Sequence, residues 1–394
     1  MAYTDGVGNT YVLSSTIGAY ADEAYTDAKR LSNTGIVSTN NPTIDTGVEN
    51  FTGQMRWHKP LNPVINIASL VDPTDGVPSN YASDFLKYIK TARTTGANKV
   101  NLAQLVTGED GLAKHGRDFA NTRATDEHQA ILAILKGIAI SEALMGAAAQ
   151  SGVAGLGGQT FDNDPTVRAY GMYVDLGAGK LVEDAGVGAA RVEGLINAFG
   201  MGFKDYEPPY AYIILDPSAL ASFRSANLID SDRVTDASID FETILSGKFR
   251  IIQSRANGQF TPAELAAING GGGVNIVGTK VTYIVLPGAI AMEPLTIPEP
   301  VGIEKTEASY HGGGSTEIWY RWGYVAHPVG YNWRGVDTKF PSNLDYKGVT
   351  VGASETIVPV SDATVVAAPD TADSVWERKS SSALSLGILP IFHS

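Results

Sequence analysis

The closest approach to catalytic chemistry in this 394-residue chain is the run Leu176-Gly177-Ala178-Gly179-Lys180-Leu181, which carries the glycines and the lysine of a phosphate cradle. A P-loop holds phosphates with backbone N–H groups and a lysine, and holds Mg2+ with a hydroxyl. Here Val174 stands where its first glycine belongs and Leu181 where the hydroxyl belongs, so the pattern fails. The glycine runs Gly270 to Gly273 and Gly312 to Gly314 follow no Gly-x-Gly-x-x-Gly pattern and read as loop tips. The six histidines, at 58, 115, 128, 311, 327 and 393, include no His-Glu-x-x-His or His-x-His spacing. His115 and His128 can share one side of a helix, which reads as surface or intersubunit contact before it reads as metal binding. Asp162-Asn163-Asp164 and Asp230-Ser231-Asp232 begin like calcium loops but lack the central glycine and twelfth-position glutamate of an EF-hand, so solvated acidic loops are expected. No Gly-x-Ser-x-Gly elbow is present. A carboxylate pair for glycoside hydrolysis stays open at this point, because any two acids can converge in space.

With no cysteine, the chain has no disulfides, no thiolate nucleophile and no cysteine-ligated metal. Its formal net charge of −13 repels phosphate backbones and acidic lipids, which argues against sequence-specific DNA binding but not against enclosing DNA. The N-terminal Met1-Ala2-Tyr3-Thr4-Asp5 lacks the basic and apolar regions of a secretory signal, so synthesis in a cytosol is expected. The sequon Asn50-Phe51-Thr52 carries no weight in that setting. The most apolar window, Ala130 to Ala149, contains Lys136 and Glu142 and reads as a buried helix, not a membrane span. No cofactor or metal is expected, and no enzymatic activity.

The elements come into focus at Ile318-Trp319-Tyr320-Arg321-Trp322-Gly323-Tyr324-Val325-Ala326-His327, which alternates with the two-residue period of a strand. One face carries Ile318, Tyr320, Trp322, Tyr324 and Ala326; the other carries Trp319, Arg321, Gly323, Val325 and His327. Pro328 ends regular pairing, and Gly330-Tyr331-Asn332-Trp333 follows as an ordered turn. Residues 1–52, rich in Thr, Asn, Gly and Ser, read as an extended arm with one helical patch from Ala19 to Leu31. Strand-like runs Val64 to Ile67 and Lys99 to Leu102 flank a helical patch from Ser79 to Arg93, as in a two-stranded excursion with an insert at its tip. From Thr107, with Asp110 as a capping partner, the pattern is helical to about Ile140 unless Thr125-Asp126-Glu127 begins a second helix. A glycine-rich break, Ser151 to Gly158, separates this from an alternating region. That region has a helix over Ala189 to Phe203, a strand Ala211 to Leu215, a helix Pro217 to Arg224, and strands Lys248 to Ile252 and Val281 to Leu286. Val375-Trp376-Glu377-Arg378 and a terminal strand, Ala383 to Phe392, close the chain.

The aromatic strand running into His327-Pro328-Val329-Gly330-Tyr331-Asn332-Trp333 resembles a signature of tailed-bacteriophage major capsid proteins with the Hong Kong 97 fold. The helix-ending run Ala130 to Gly137, the run Ser246 to Ile252 and the Trp376-Glu377-Arg378 step are similar to the same group. The resemblance implies an α+β fold with an N-terminal arm (1–52), an E-loop lying on the next subunit (53–106) and a spine helix opening a peripheral domain (107–158). An axial domain with a central sheet (159–295), a peripheral return bearing the aromatic strand (296–345) and a C-terminal return (346–394) would follow. It implies a structural protein of the phage head, assembled in host cytoplasm as hexamers and pentamers into an icosahedral shell. Partners would be copies of itself, portal and scaffold proteins, packaged double-stranded DNA bound without sequence preference, and a decoration protein; no membrane is implied. Lys-Asn cross-links occur in such a family, and Lys59, Lys87, Lys90 and Lys99 lie in the loop, but no partner for them is identified. Trp57, His58, Lys59, Tyr81 and Phe85 are the expected intersubunit contacts, with Trp319, Trp322 and Trp333 in the subunit's own core. Two rival readings are a carbohydrate-binding or glycan-active protein that exposes the aromatic cluster, and another virion or surface-layer component such as a tail-tube or decoration protein.

Overall fold

The computed structural model describes residues 34–58 apart from 40, 83–101 apart from 96 and 97, 111–150, 173–176, 180–185, 189–191, 208–254 apart from 232, 237 and 238, 276–306, 315–350, 356–357, 375–378 and 387–394, with short pieces at 3–4, 10–11, 21, 31, 195–196, 260, 262, 265–266 and 269. In chain order the elements used below begin with β1 (Val37–Ser38), β2 (Thr52–His58), β3 (Ser83–Thr94), β4 (Asn98–Asn101), α1 (Gly111–Gln150), β5 (Val174–Asp175), β6 (Ala211–Leu215) and α2 (Pro217–Ser225). They continue with β7 (Thr243–Ile244), β8 (Phe249–Gln253), β9 (Lys280–Val285), β10 (Ile290–Pro294), β11 (Val301–Thr306), β12 (Ser315–Pro328), β13 (Tyr331–Trp333), α3 (Asn343–Lys347), β14 (Trp376–Arg378) and β15 (Ile388–His393). The fold is α+β.

β12 is the aromatic strand, and it organises a seven-stranded sheet. Its first half lies between β11 and β4; its second half lies between β10 and β3, all antiparallel. The alternation expected for this segment holds. Ile318, Tyr320, Trp322, Tyr324 and Ala326 enter the main core, while Val325 on the opposite face joins Met55, Trp57, Leu86, Tyr88, Ala291 and Leu295. Pairing ends at Pro328, opposite Ile290, and after the turn at Val329 and Gly330 the expected turn residues Tyr331 to Trp333 form β13, which pairs β14.

The main core is the space between β12 and α1. At 1.5 Å per residue, α1's 40 residues span roughly 60 Å. It is one continuous helix through Thr125-Asp126-Glu127 and runs past Ile140 to Gln150, because Ser141 to Gln150 are almost all good helix formers. Toward its start it is amphipathic, with Phe119, Ala120 and Glu127 buried and Lys114, Arg117, Asp118 and Asn121 exposed; from Ala130 to Ala143 every residue except Lys136 is buried. Phe119 stacks on Tyr320 with ring centroids 5.3 Å apart. The two acids on its buried faces are paired: Glu127 with Arg123 Nε at 3.0 Å, and Glu142 with Tyr331 Oη at 2.9 Å and Arg378 Nε at 3.7 Å. At Gly137 the helix meets α3 and β14 so closely that a Cβ would lie 2.1 Å from the Tyr346 carbonyl oxygen.

The second sheet runs β7-β8-β6-β9-β15-β5. Its strands split their residues between two cores by parity: Tyr212 and Ile214 join the main core, whereas Ala211, Ile213 and Leu215 pack with Leu220 and Phe223 of α2. Pro217 at the start of α2 and an Asp216 cap accepting from Ser218 N at 3.0 Å fix where that helix begins. β9 passes through Pro287 and Gly288 straight into β10, joining the two sheets.

Two expectations are corrected. The patch from Ser79 to Arg93 is not helical where it is described: Ser83–Thr94 is the strand β3. Ala189–Arg191 is a strand paired with Glu183–Ala185, not the start of a helix. The run Val64 to Ile67, the Thr107–Asp110 cap, the break at Ser151 to Gly158 and the acidic triplet at Asp162 lie outside the described residues, as does the arm patch apart from Ala21 and Leu31.

Candidate functional surface

Two of the chemical motifs have a structural occupation where they are described. Leu176 N donates to Phe392 O at 2.9 Å, so the start of the glycine-lysine run serves to extend sheet pairing. The Asp230 carboxylate accepts from Thr243 Oγ1 at 2.9 Å and Gly247 N at 3.0 Å, holding a turn in which Leu245, Ser246 and Gly247 all have positive φ. Among the described residues no group of three or more His, Asp or Glu is placed to hold a metal. Nor does any described helix have the length and apolarity to cross a membrane.

The aromatic rings are structural as well. Trp322, Trp333 and Trp376 are at most 6% exposed, and Trp333 and Trp376 pack edge to face at 5.0 Å. Trp322 Nε1 and Tyr324 Oη both donate to Asp126 Oδ2 on α1, at 3.1 and 2.9 Å, and Arg93 Nε approaches its Oδ1 at 3.5 Å. Burial pushes the Tyr324 and Tyr331 hydroxyls well above the usual tyrosine range, so both stay neutral donors. A saccharide platform needs these rings in water, and the structure puts these three tryptophans in the core; Trp319, on the opposite face of β12, is only half-buried and joins no core cluster, which corrects the expectation for it.

His327 lies between Tyr88, at 6.4 Å, and Trp376, at 5.8 Å, edge-on to both. It is fully buried, and among the described residues neither ring nitrogen has a partner at hydrogen-bonding geometry. Burial, opposed only in part by the Tyr331 backbone, pushes its pKa down to about 4. The imidazole is therefore neutral packing material.

What remains exposed is a ribbon. Residues 90–94 of β3 pair with β12 inside the sheet, but residues 83–89 form a ladder only with β2, from Thr52↔Ile89 to His58↔Ser83, with Lys87 N also donating to Asn332 Oδ1 of β13 at 3.0 Å. β3 thus begins as one arm of a two-stranded ribbon and ends as a sheet strand. One face of the ribbon is covered by its own chain: Trp57 is 7% exposed and sits with Met55, Leu86 and Tyr88. The other face is buried at Ile89, half-buried at Lys87 and open at Phe85. Phe85 is 58% exposed, and Lys87 pairs with Asp337 at 3.0 Å beside Val336, itself 50% exposed. Phe51, 37% exposed at the ribbon's root, meets Phe340 edge to face at 4.9 Å.

Of the expected contact residues, the structure brings Trp57 and Phe85 together on one ribbon but on opposite faces. His58 is described only in its backbone, and Lys59 and Tyr81 lie outside the described residues. Of the four lysines named for the loop, Lys90 is wholly buried and held by Asp45 Oδ2 at 2.7 Å and Gly47 O at 2.5 Å, which removes it from any reaction with a neighbour. Sequence reasoning missed Phe51, Val336 and the tie between Lys90 and Asp45. A strand assignment for residues 83–94 would have flagged a lysine midway along a sheet.

No family model matches the chain, and no curated protein matches it. Solved structures do overlap it over most of its length. The capsid of Ralstonia phage GP4 aligns with a TM-score of 0.45 and 8% identity, over 76% of this chain and 84% of that one. The capsid of cyanophage P-SCSP1u aligns at 0.41 and 12%, over 91% and 86%, and a structure from Gordonia phage Cozz at 0.40 and 10%, over 93% and 87%.

Proposed function

We propose that this chain is a major capsid protein of a tailed phage with the Hong Kong 97 fold, a structural subunit that builds a closed head around double-stranded DNA. The observation that carries the reading is the ribbon of β2 and β3, which leaves its sheet beside a roughly 60 Å helix and keeps Phe85 58% exposed. A two-stranded ribbon is marginal alone in water and gains its stability from a covering surface. A second copy of the same chain offers that surface repeatedly, and a repeated contact between unlike faces generates rings and shells.

In this reading 1–52 is the arm, 53–106 the loop that reaches a neighbour, 107–158 the spine helix, 159–295 the axial domain, and 296–345 and 346–394 the returns. Hexamers and pentamers are the assembly units. Scaffold and portal proteins, and a decoration protein, are the accessory partners. Phe85 is the proposed ribbon contact, His58, Lys59 and Tyr81 are further proposed contacts, and Trp57 stiffens the ribbon from its covered face. The net charge of −13 suits a wall that encloses DNA without gripping it.

Negative-stain imaging of the purified chain over a range of concentration tests this. Closed shells support the reading; tubes or sheets favour a tail-tube or surface-layer component, and monomers at every concentration remove it.

A further inference from the structure

Lys90 stands at the residue where the ribbon becomes sheet: Ile89 is the last β3 residue in the ladder with β2, and Lys90 is the first in the ladder with β12. Its side chain is wholly buried. A buried ammonium is costly unless paired and fully hydrogen-bonded, and both of its acceptors, Asp45 Oδ2 and Gly47 O, belong to one segment, residues 41–50. That segment runs directly into β2.

The same strap is fastened elsewhere. Glu293 Oε1 on β10 accepts from Asn41 N at 2.5 Å, Tyr88 Oη on β3 accepts from Asp45 N at 2.7 Å, and Thr296 N just past β10 donates to Thr46 O at 2.9 Å. Tyr88 also lies so close over Gly53 that a Cβ there would sit 2.3 Å from its hydroxyl, which ties the strap's anchor to β2 itself. The strap therefore spans from β10, inside the sheet, to the ribbon's root. Lys90 holds Asp45 ionised, keeping its carboxyl below the usual range by a direct hydrogen bond.

We infer that Lys90, through the strap it grips, sets the angle at which the β2–β3 ribbon leaves the sheet, and so acts as a positioning residue for assembly. The inference rests on the capsid reading. A two-stranded ribbon leaving a sheet takes up twist that the ladder alone does not fix; outside the ladders, the strap bonds both β10 and the ribbon's root on one side, and Asn332 Oδ1, accepting from Lys87 N at 3.0 Å, and Asp337 hold its other side. Copies with ribbons at one angle close a uniform lattice; copies with variable angles do not.

The test uses the full chain carrying Lys90→Met. Methionine fills the buried channel with an unbranched chain and leaves the Asp45 carboxylate, 65% exposed, in water, so no buried charge is orphaned. Hydrogen exchange of the unassembled chain is expected to quicken at residues 44–58 by about tenfold or more, with little change in Tm. Particles formed by the variant are expected to be mixed in size. Glu293→Gln loosens the strap at its other end and is expected to act in the same direction. Wild-type exchange in both variants, or uniform shells from Lys90→Met, would overturn the inference. Failure of the wild-type chain to assemble would remove the capsid reading instead, and the exchange measurement would still decide whether the strap holds the ribbon.

Discussion

His327 shows how fully a single side chain can be given over to packing. Its folded pKa of about 4 lies below the unfolded value of 6.5, so between those pH values the unfolded chain binds the extra proton. Stability is complete above pH 6.5 and falls as pH drops toward 4, by up to about 3 kcal/mol for this residue. His393, also lowered by burial, adds to the same trend. His327→Phe, filling the gap between Tyr88 and Trp376, is expected to flatten this slope in denaturant titrations at pH 7, 5.5 and 4; an unchanged slope would contradict the assignment. Phe85 is the opposite case. Phe85→Ser removes an exposed ring, so unfolding free energy should change by no more than about 0.5 kcal/mol, while the concentration needed for assembly, read by light scattering, should rise severalfold. Equal loss in both would place Phe85 in the subunit's own core. At this scale sequence reading picked out Trp57 and Phe85 but not which face each one takes. Trp57 and Phe85 differ in burial through parity, which depends on a strand assignment that the spacing of Tyr81, Phe85, Tyr88, Ile89 and Ala92 obscured.

The elements were legible in proportion to how one-sided their burial is. β12 alternates because one face meets α1 and the other meets the Trp57 cluster, and α2 announces itself through Asp216 and Pro217. β3 misled because both of its faces are covered near the sheet: Tyr88 and Lys90 on one side, Ile89 and Thr91 on the other are all buried, so no two-residue period survives. α1 was followed by its period only to about Ile140, and the run Ala130 to Ala149 was read as a buried helix without being joined to it, since a helix buried all round loses the polar stripe that marks its course. Its contacts give two tests. Gly137→Val forces a side chain into the Tyr346 carbonyl and the Trp376 indole, and should destabilise the fold by about 2 kcal/mol or more by denaturant unfolding. Asp126→Ala leaves the Trp322 and Tyr324 donors on β12 without their acceptor and should cost about 2 to 3 kcal/mol. A wild-type midpoint for either variant would mean that α1 is not clasped to β12 as described.

For the whole molecule, composition excluded more than it identified: no cysteine chemistry, no signature for a phosphate or metal site, and an acidic surface. The order of arm, excursion, long helix, alternating region and aromatic strand carried the resemblance, and the ribbon supplies the physical reason why such a chain should associate. Because copies of net charge −13 repel one another, assembly should strengthen as salt rises from 0.05 M toward about 0.5 M, where the Debye length shortens to a few ångströms. The most direct measurement is electron microscopy of the purified wild-type chain across that salt range. The capsid reading predicts closed, roughly spherical shells above a threshold concentration; particles that remain single subunits under every condition would contradict it.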